Sequence, residues 1–378
     1  MKRLIVHVIS GLGDGGAEAV LYRLCVNENT MAHRVISLTN DGKYGDLLRD
    51  HGIEVVALEM PRGRITISGI FRLWWLLIRA RPAAVQTWMY HADLVGGVLA
   101  RMARVPEVYW GIRHTGLEIN DVKRSTIYVA KICARLSCWI PSVIVCCAEK
   151  AKEVHRKFGY CSEKLRVIPN GYDAATFLPN DAGRDLLRKT WSVGNFPLIG
   201  MVGRFDPLKD HRNLFEALSI LKKKEINFRC ILVGRDVNYE NDKISGWIKE
   251  FGLSNDIVLL GQRSDIPEVM AALDIHILSS SSEAFPNVVA EAMISGTPCV
   301  TTDVGDAALI VGETGWVVPP SDTNALASGI ADALEAFKNK KEWELRCQLA
   351  QRRIRDNFSL EKMISRYRNL WNREWSAS

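Results

Sequence analysis

Eleven short, continuously apolar runs recur along this 378-residue chain, each followed by a longer segment of helical character. A half-exposed strand alternates apolar and polar residues. Unbroken runs such as LIVHVI, RVISL, IEVVAL, AAVQTW, EVYWGI and SVIVCC instead suit parallel strands buried on both faces. Parallel neighbours need a crossover between them, and the intervening helices supply it. PLIGMVG, FRCILVG, DIVLLG, DIHILS and PCVTT repeat the scheme in the second half. The pattern predicts an α/β protein made of two doubly wound, Rossmann-like domains facing across a cleft. Pro169, Asn170, Gly171, Pro179 and Asn180 cluster as turn formers, so the expected domains are residues 1–180 and 181–355. The chain reads as helical after Asp322, and an amphipathic helix within 356–378 is expected to cross back onto the first domain. In open parallel sheets ligands bind beyond the carboxyl ends of the strands, which makes that edge of each domain the place to look for chemistry.

The formal charge of +6 divides unevenly at the expected join. Residues 1–180 hold 24 Lys and Arg against 16 Asp and Glu, whereas residues 181–378 hold 25 against 27. Only the first half should attract anions at long range. No nucleic-acid motif accompanies that charge, so nucleic acid is not an expected partner. The nine Cys are odd in number and contain no C-x-x-C pair, which points to reduced thiols in a cytoplasmic protein, with Cys146 and Cys147 in a buried strand. Met1-Lys2-Arg3 before LIVHVIS has the flavour of a signal peptide, but the apolar run is brief and no small-residue cleavage site precedes Gly11. The most apolar stretch, Leu136 to Ala148, contains Pro141 and falls short of the roughly 20 residues a bilayer span requires. Between Arg62 and Arg81, five Arg surround Ile70, Phe71, Trp74, Trp75, Leu77 and Ile78. Two readings of that segment are open: a helix packed on the sheet, and a helix lying on an anionic membrane.

Gly11, Gly13 and Gly16 satisfy G-x-G-x-x-G after the first strand, and Asp41 near the end of the second stands where a dinucleotide's ribose-binding acid would. The physical content is a glycine turn and helix start that let an anion approach backbone N–H groups. An NAD-dependent oxidoreductase is one reading of it. The second half is more specific. In SSSSEAFPNVVAEAMISGTPCVTTDVGD, a helix beginning near Asn287 leaves Glu283 in the preceding loop and puts Glu291 just over one turn in, with Phe285 between them. The two carboxylates then bracket one ligand as acceptors for sugar hydroxyls, and the N–H groups of Asn287 and Val288 face a diphosphate.

This E-x7-E segment joins GGAE at Gly15–Glu18, VIPNGYD at Val167–Asp173, GRFDPLKD at Gly203–Asp210 and GQRSDIPEVMAALDIHILSS at Gly261–Ser280. Together, in this order and over most of the chain, they resemble the retaining nucleotide-sugar glycosyltransferases of family 4, which have the two-domain GT-B fold. The resemblance implies transfer of a hexose-type sugar from a nucleoside-diphosphate sugar to a glycan or lipid-linked acceptor in cell-surface polysaccharide synthesis. It also implies that Arg204 and Lys209, after Gly203, bind the donor diphosphate. Glu291 would hold the ribose and Glu283 the transferred sugar, while the loop at Gln262 and Arg263 contacts the base and Gly15 and Gly16 face the diphosphate or acceptor. A His after the fifth strand is implied beside the reacting sugar, which suggests His114. Arg113 and His91 are further acceptor-side candidates, although His91 and Asp93 equally suit a helix cap. No D-x-D occurs, so neither metal nor other cofactor is expected. Peripheral contact with the inner face of the membrane would fit a lipid-linked acceptor. A nucleotide-sugar epimerase of the same fold is the alternative within this architecture.

Overall fold

The computed structural model describes residues 2–116, 124–177 and 181–374. The chain divides into two units, residues 1–171 with 360–378, and residues 172–359. The join expected at Asn180 lies outside the described residues.

Seven parallel strands form the sheet of the first unit: β1 (Leu4–Ile9), β2 (Ala32–Ser37), β3 (Glu54–Ala57), β4 (Ala84–Trp88), β5 (Glu107–Ile112), β6 (Val143–Cys146) and β7 (Leu165–Val167). Their order is β3-β2-β1-β4-β5-β6-β7. Six are the apolar runs read from the sequence; the short β7 was not among them, because three residues carry no periodicity. The helices that cross between them are α1 (Gly16–Asn27), α2 (Gly42–Asp50), α3 (Ile67–Ala80), α4 (Tyr90–Met102), α5 (Arg124–Leu136) and α6 (Glu149–Phe158). The strand order turns round at β1 and β4, which lie side by side with Ile5 opposite Ala84 and Ile9 opposite Trp88. The carboxyl ends of these two strands are therefore where a crevice is expected.

The second unit contains α7 (Asp181–Thr190), β8 (Leu198–Val202), α8 (His211–Lys223), β9 (Arg229–Val233), α9 (Asp242–Glu250), β10 (Ile257–Leu259), α10 (Ile266–Ala272) and β11 (Ile275–Leu278). It continues with α11 (Asn287–Ile294), β12 (Cys299–Thr302), α12 (Ala307–Val311), β13 (Trp316–Val318), α13 (Thr323–Phe337) and α14 (Lys340–Asn357). Its six parallel strands are ordered β10-β9-β8-β11-β12-β13. Ile199, Met201, Leu232, Ile275 and Ile277 of the sheet pack with Leu214, Phe215 and Leu218 of α8 in one buried core. Asp210 and Asp322 cap α8 and α13 by accepting from the backbone N–H groups of Asn213 and Ala325. All nine cysteines are free, and Cys146 and Cys147 are buried as expected. Among the described residues, no helix is long and apolar enough to cross a membrane.

The final helix, α15 (Leu360–Trp371), belongs to the first unit. Leu360, Met363, Ile364, Tyr367, Leu370 and Trp371 are buried in the same core as Ile5, Leu21, Leu24 and Trp88. A polar network secures it. The Glu28 carboxylate accepts from the N–H groups of Thr30 at 3.2 Å and Met31 at 2.8 Å, from the Thr30 hydroxyl, and from Arg368 Nε of α15 at 3.0 Å. Burial works to raise the Glu28 carboxyl, but these hydrogen bonds outweigh it and hold the group at about 2. His7 and His33 continue the network, with ring nitrogens 3.0 Å apart and His33 Nε2 3.2 Å from Glu28. Because Trp88 Nε1 donates to His7 Nδ1, His7 must donate through Nε2 and His33 through Nε2 in turn. His7, His33 and Cys25 have the proximity of a metal-binding group, yet both imidazoles already use their facing nitrogens in hydrogen bonds. A carboxyl depressed below its unfolded value adds stability above about pH 4.5 and loses it as pH falls toward about 2. Glu28→Gln should lower unfolding stability at neutral pH by about 1–3 kcal/mol and flatten the loss between these values, as urea titrations across pH would record.

Candidate active site

In the second unit the chemistry gathers at the carboxyl ends of β8 and β11. After β8 the chain passes through Gly203, Arg204 and a single 3-10 turn at Pro207–Lys209 before α8 begins. Asp206 shapes this loop: one carboxylate oxygen accepts from Leu208 N–H at 3.0 Å, and the other from Arg204 Nε and Nη2 at 3.0 and 2.8 Å. Half of the Arg204 side chain remains open to solvent. The stem of Lys209 runs over Gly203, where an added Cβ would touch it at 3.5 Å. Asp210 then takes a left-handed conformation, φ 48°, which turns the chain sharply into α8.

Lys209 Nζ lies 2.6 Å from Glu283 Oε1, and both side chains are largely buried. Ser280 Oγ donates to the same carboxylate oxygen at 2.8 Å. The loops bearing the pair are tied to each other, since Ser279 Oγ donates to Lys209 O at 2.8 Å and Ser281 N–H to Leu208 O at 2.9 Å. Burial, followed by the nearby Lys209 charge, pulls His276 down to about 3 and His211 to about 4. Both imidazoles are neutral at physiological pH, which leaves Lys209 and Arg204 as the cations of this loop.

The α11 helix begins at Asn287, so Glu283 stands in the loop before it and Glu291 one turn inside it, as the sequence indicated. Pro286 precedes the helix and makes no side-chain cap, and Asn287 and Val288 occupy its first two positions. Phe285 is buried against Tyr172 and Phe358, and the Tyr172 hydroxyl donates to Asn287 Oδ1. Phe285 therefore anchors the loop from beneath. Arg263 is paired with Asp265 through Nε at 2.8 Å, so its guanidinium is held within its own loop. The supporting groups Asp206, Ser280 and Tyr172 escaped sequence reading: Tyr172 reaches Asn287, remote in sequence, while Asp206 and Ser280 bond residues two and three positions away through loop turns that spacing does not reveal. Gly305 had a visible signal, as a glycine following the strand after α11. Its φ is +55°, and a Cβ there would collide with the carbonyl oxygens of Glu283 and Ala284.

The first unit has its own concavity, a cavity of about 290 Å³. It is lined by the glycine turn at Gly11 and Gly13, by Thr39 and Asn40 after β2, by Arg62 and Arg64, and by His91. Gly15 precedes α1 and Gly16 opens it. Glu18 folds back toward that helix start, so that a Cβ on Gly15 would strike its carboxylate. An acid thus shares the amino end at which an anion was expected. Asp41, the acid a dinucleotide reading would assign to a ribose, is paired with Arg49 at 2.6 Å at the surface of the unit.

The acceptor-side candidates separate. His91 lines the cavity, half-buried, with its pKa lowered by burial. The strained Met89, φ 72°, precedes it at the start of α4. The expected cap with Asp93 does not form. Asp93 is fully buried instead and accepts from Thr87 Oγ1 at 2.5 Å and Gly111 N–H at 3.0 Å, tying α4 to β4 and β5. Arg113 donates to Asn170 Oδ1 at 2.8 Å and to the Tyr367 hydroxyl, and its guanidinium lies 4.4 Å from the centre of the Trp88 ring. It joins β5 to α15 inside the unit. His114 follows it, half-buried; burial, with a smaller contribution from the nearby His114, lowers His155 to about 4. Neither Arg113 nor His114 belongs to the described lining of the cavity.

Comparison with known proteins shows the family and the fold. Residues 14–176 match the family model described as Glycosyltransferase Family 4, and residues 184–349 match Glycosyl transferases group 1. An Escherichia coli relative, UDP-Gal:alpha-D-GlcNAc-diphosphoundecaprenol alpha-1,3-galactosyltransferase, is 26% identical over 81% of this chain and 79% of its own. A Campylobacter jejuni relative, N,N'-diacetylbacillosaminyl-diphospho-undecaprenol alpha-1,3-N-acetylgalactosaminyltransferase, is 25% identical over 97% of this chain and 98% of its own. The Anabaena HepE structure in complex with UDP-glucose superimposes with a TM-score of 0.85 at 22% identity, covering 98% of this chain and all of that one. The chain belongs to the family-4-like glycosyltransferases of GT-B fold. Gly305→Ala should reveal the dependence of the Glu283 loop on that turn. Strain at a left-handed position and the carbonyl clash should lower stability by about 1–3 kcal/mol in thermal or urea unfolding.

Proposed function

We propose that this glycosyltransferase is a retaining enzyme that moves a hexose-type sugar from a nucleoside-diphosphate donor to a lipid-diphosphate-linked glycan in cell-surface polysaccharide synthesis. The observation that carries the reading is the Lys209–Glu283 pair, fastened by Ser280 at the carboxyl edge of the second unit's sheet. A departing nucleoside diphosphate gains negative charge as its bond to the sugar's anomeric carbon breaks. A preorganised ammonium stabilises that charge more in the transition state than in the bound donor. Arg204, half exposed beside it, supplies a second cation, and Asn287 and Val288, the first two residues of α11, turn a helix start toward the phosphates. Glu283 accepts from sugar hydroxyls and Glu291 from the ribose. The acceptor oxygen bonds to the face the diphosphate leaves, and its proton passes to the departing phosphate, so no separate protein base is required.

The donor base is taken to be uracil by likeness to the UDP-glucose complex and the E. coli relative's UDP-linked donor. The acceptor class follows the two relatives whose names specify diphosphoundecaprenol acceptors. In the first unit, the cavity rimmed by Arg62 and Arg64 has the charge to receive such a diphosphate, with His91 beside the acceptor sugar. His114 is proposed at the reacting sugar on family likeness alone. The active location is the inner face of the cytoplasmic membrane.

Incubation with UDP-, GDP- and dTDP-sugars and a polyprenyl-diphosphate glycan tests the reading. Transfer with the anomeric configuration kept supports it; isomerisation of the donor without transfer would replace it with an epimerase. Lys209→Ala should lower kcat/KM at least a hundredfold, about 2.7 kcal/mol of transition-state stabilisation, and unchanged kinetics would remove Lys209 from the chemistry. Because the sequence has no D-x-D pair and the loop is built on cations, transfer should survive EDTA. Activity lost in chelator and restored by magnesium or manganese would count against that arrangement.

A further inference from the structure

The α3 helix meets the rest of its unit with only part of its surface. Gly69, Leu73 and Leu77, spaced by four, are the buried residues, and Gly69 packs directly on Met60. The face turned to solvent is also apolar: Ile67, Phe71, Trp75 and Ile78 are 75%, 62%, 54% and 41% exposed. These positions repeat at intervals of four, four and three, so they form one stripe along the helix. The helix thus packs on its unit along one side and leaves an apolar side uncovered.

The stripe's surroundings specify its partner. Arg62, Arg64, Arg72, Arg79 and Arg81 are all exposed, and the chain has no Asp or Glu between Glu59 and Asp93. None of the five is ion-paired among the described residues. Arg72 and Arg79 flank the stripe, and the Arg79 guanidinium lies 5.0 Å from the centre of the Trp75 ring. Arg and Trp with long apolar neighbours, in a stretch without acids, match an interface of hydrocarbon beneath anionic headgroups. An apolar stripe can also mark a protein interface, but a border made of Arg alone, with Trp beside it and no acid in the whole segment, is the composition of a helix lying on an anionic lipid surface. The stripe also begins immediately after Arg62–Ile65, the loop lining the first unit's cavity. A lipid lying beside α3 would bring its phosphate to that loop.

We propose that the exposed face of α3 is a membrane-docking surface, with Ile67, Phe71, Trp75 and Ile78 entering the interface of an anionic bilayer and the flanking arginines contacting its headgroups. The inference extends the proposed use of a lipid-linked acceptor, but binding can be measured without either substrate.

Sedimentation of the full chain with phosphatidylcholine vesicles, with and without about a third phosphatidylglycerol, provides the test. Partitioning should be at least about tenfold stronger with the anionic lipid and should weaken as salt is raised. Phe71→Ser/Trp75→Ser should reduce it roughly tenfold or more at every salt concentration, whereas Arg72→Gln/Arg79→Gln should reduce it mainly at low salt. Unchanged melting temperature and nucleotide binding identify variants that remain folded. The proposal is overturned if the parent stays in the supernatant with anionic vesicles, or if folded variants bind as the parent does. It is equally overturned if the stripe substitutions abolish only a concentration-dependent dimer, which would make the face a contact between copies. Absent binding with intact transfer rejects the surface alone, whereas intact binding without transfer rejects the proposed reaction.

Discussion

Two parallel sheets, each covered by helices, impose the constraint on which everything else in this protein depends. A strand buried on both faces has to be apolar along its length, and a parallel neighbour requires the chain to cross back through a helix. Every strand-to-helix loop then emerges at one edge of its sheet. Lys209 and Glu283 are far apart in sequence, yet both follow neighbouring strands, β8 and β11, and that adjacency brings them to 2.6 Å. The same rule places Gly11, Thr39 and His91 around one cavity in the first unit.

Polar groups with restricted choices refine what the sheets begin. Asp206 holds Arg204 and the Leu208 N–H together, and Ser280 reinforces the carboxylate facing Lys209. In the first unit Glu28 gathers backbone and side-chain donors and ties them to Arg368 of the last helix. Such groups are costly to bury singly and stabilising when fully partnered, which gives each network one arrangement. The neutral His276 and His211 follow the same principle: a second cation beside buried Lys209 would be repelled, and burial already opposes it.

The α3 helix shows where amphipathicity has two possible meanings. Its composition suited either a core or a membrane, because a helix apolar around most of its circumference satisfies both patterns. Folding assigns Gly69, Leu73 and Leu77 to the interior and leaves Phe71 and Trp75 outside. The arginines were plain from the sequence, but which apolar residues they would border was not.

By itself the sequence determined eleven of the strands, the two-sheet architecture and the order of the E-x7-E loop and α11. Continuous apolar runs, glycine turns and helix starts are local properties, and local sterics express them directly. Only the tertiary structure decided which charges meet. It paired Lys209 with Glu283, engaged Asp41 with Arg49, and bonded Arg113 to Asn170 and Tyr367. It also turned Asp93 from a helix cap into a buried tie between strands. The physical reason is that a hydrogen bond or ion pair depends on distances of a few ångströms between side chains whose positions only the folded backbone sets. Spacing along the chain cannot specify those distances until sheet order and crossover direction have done so.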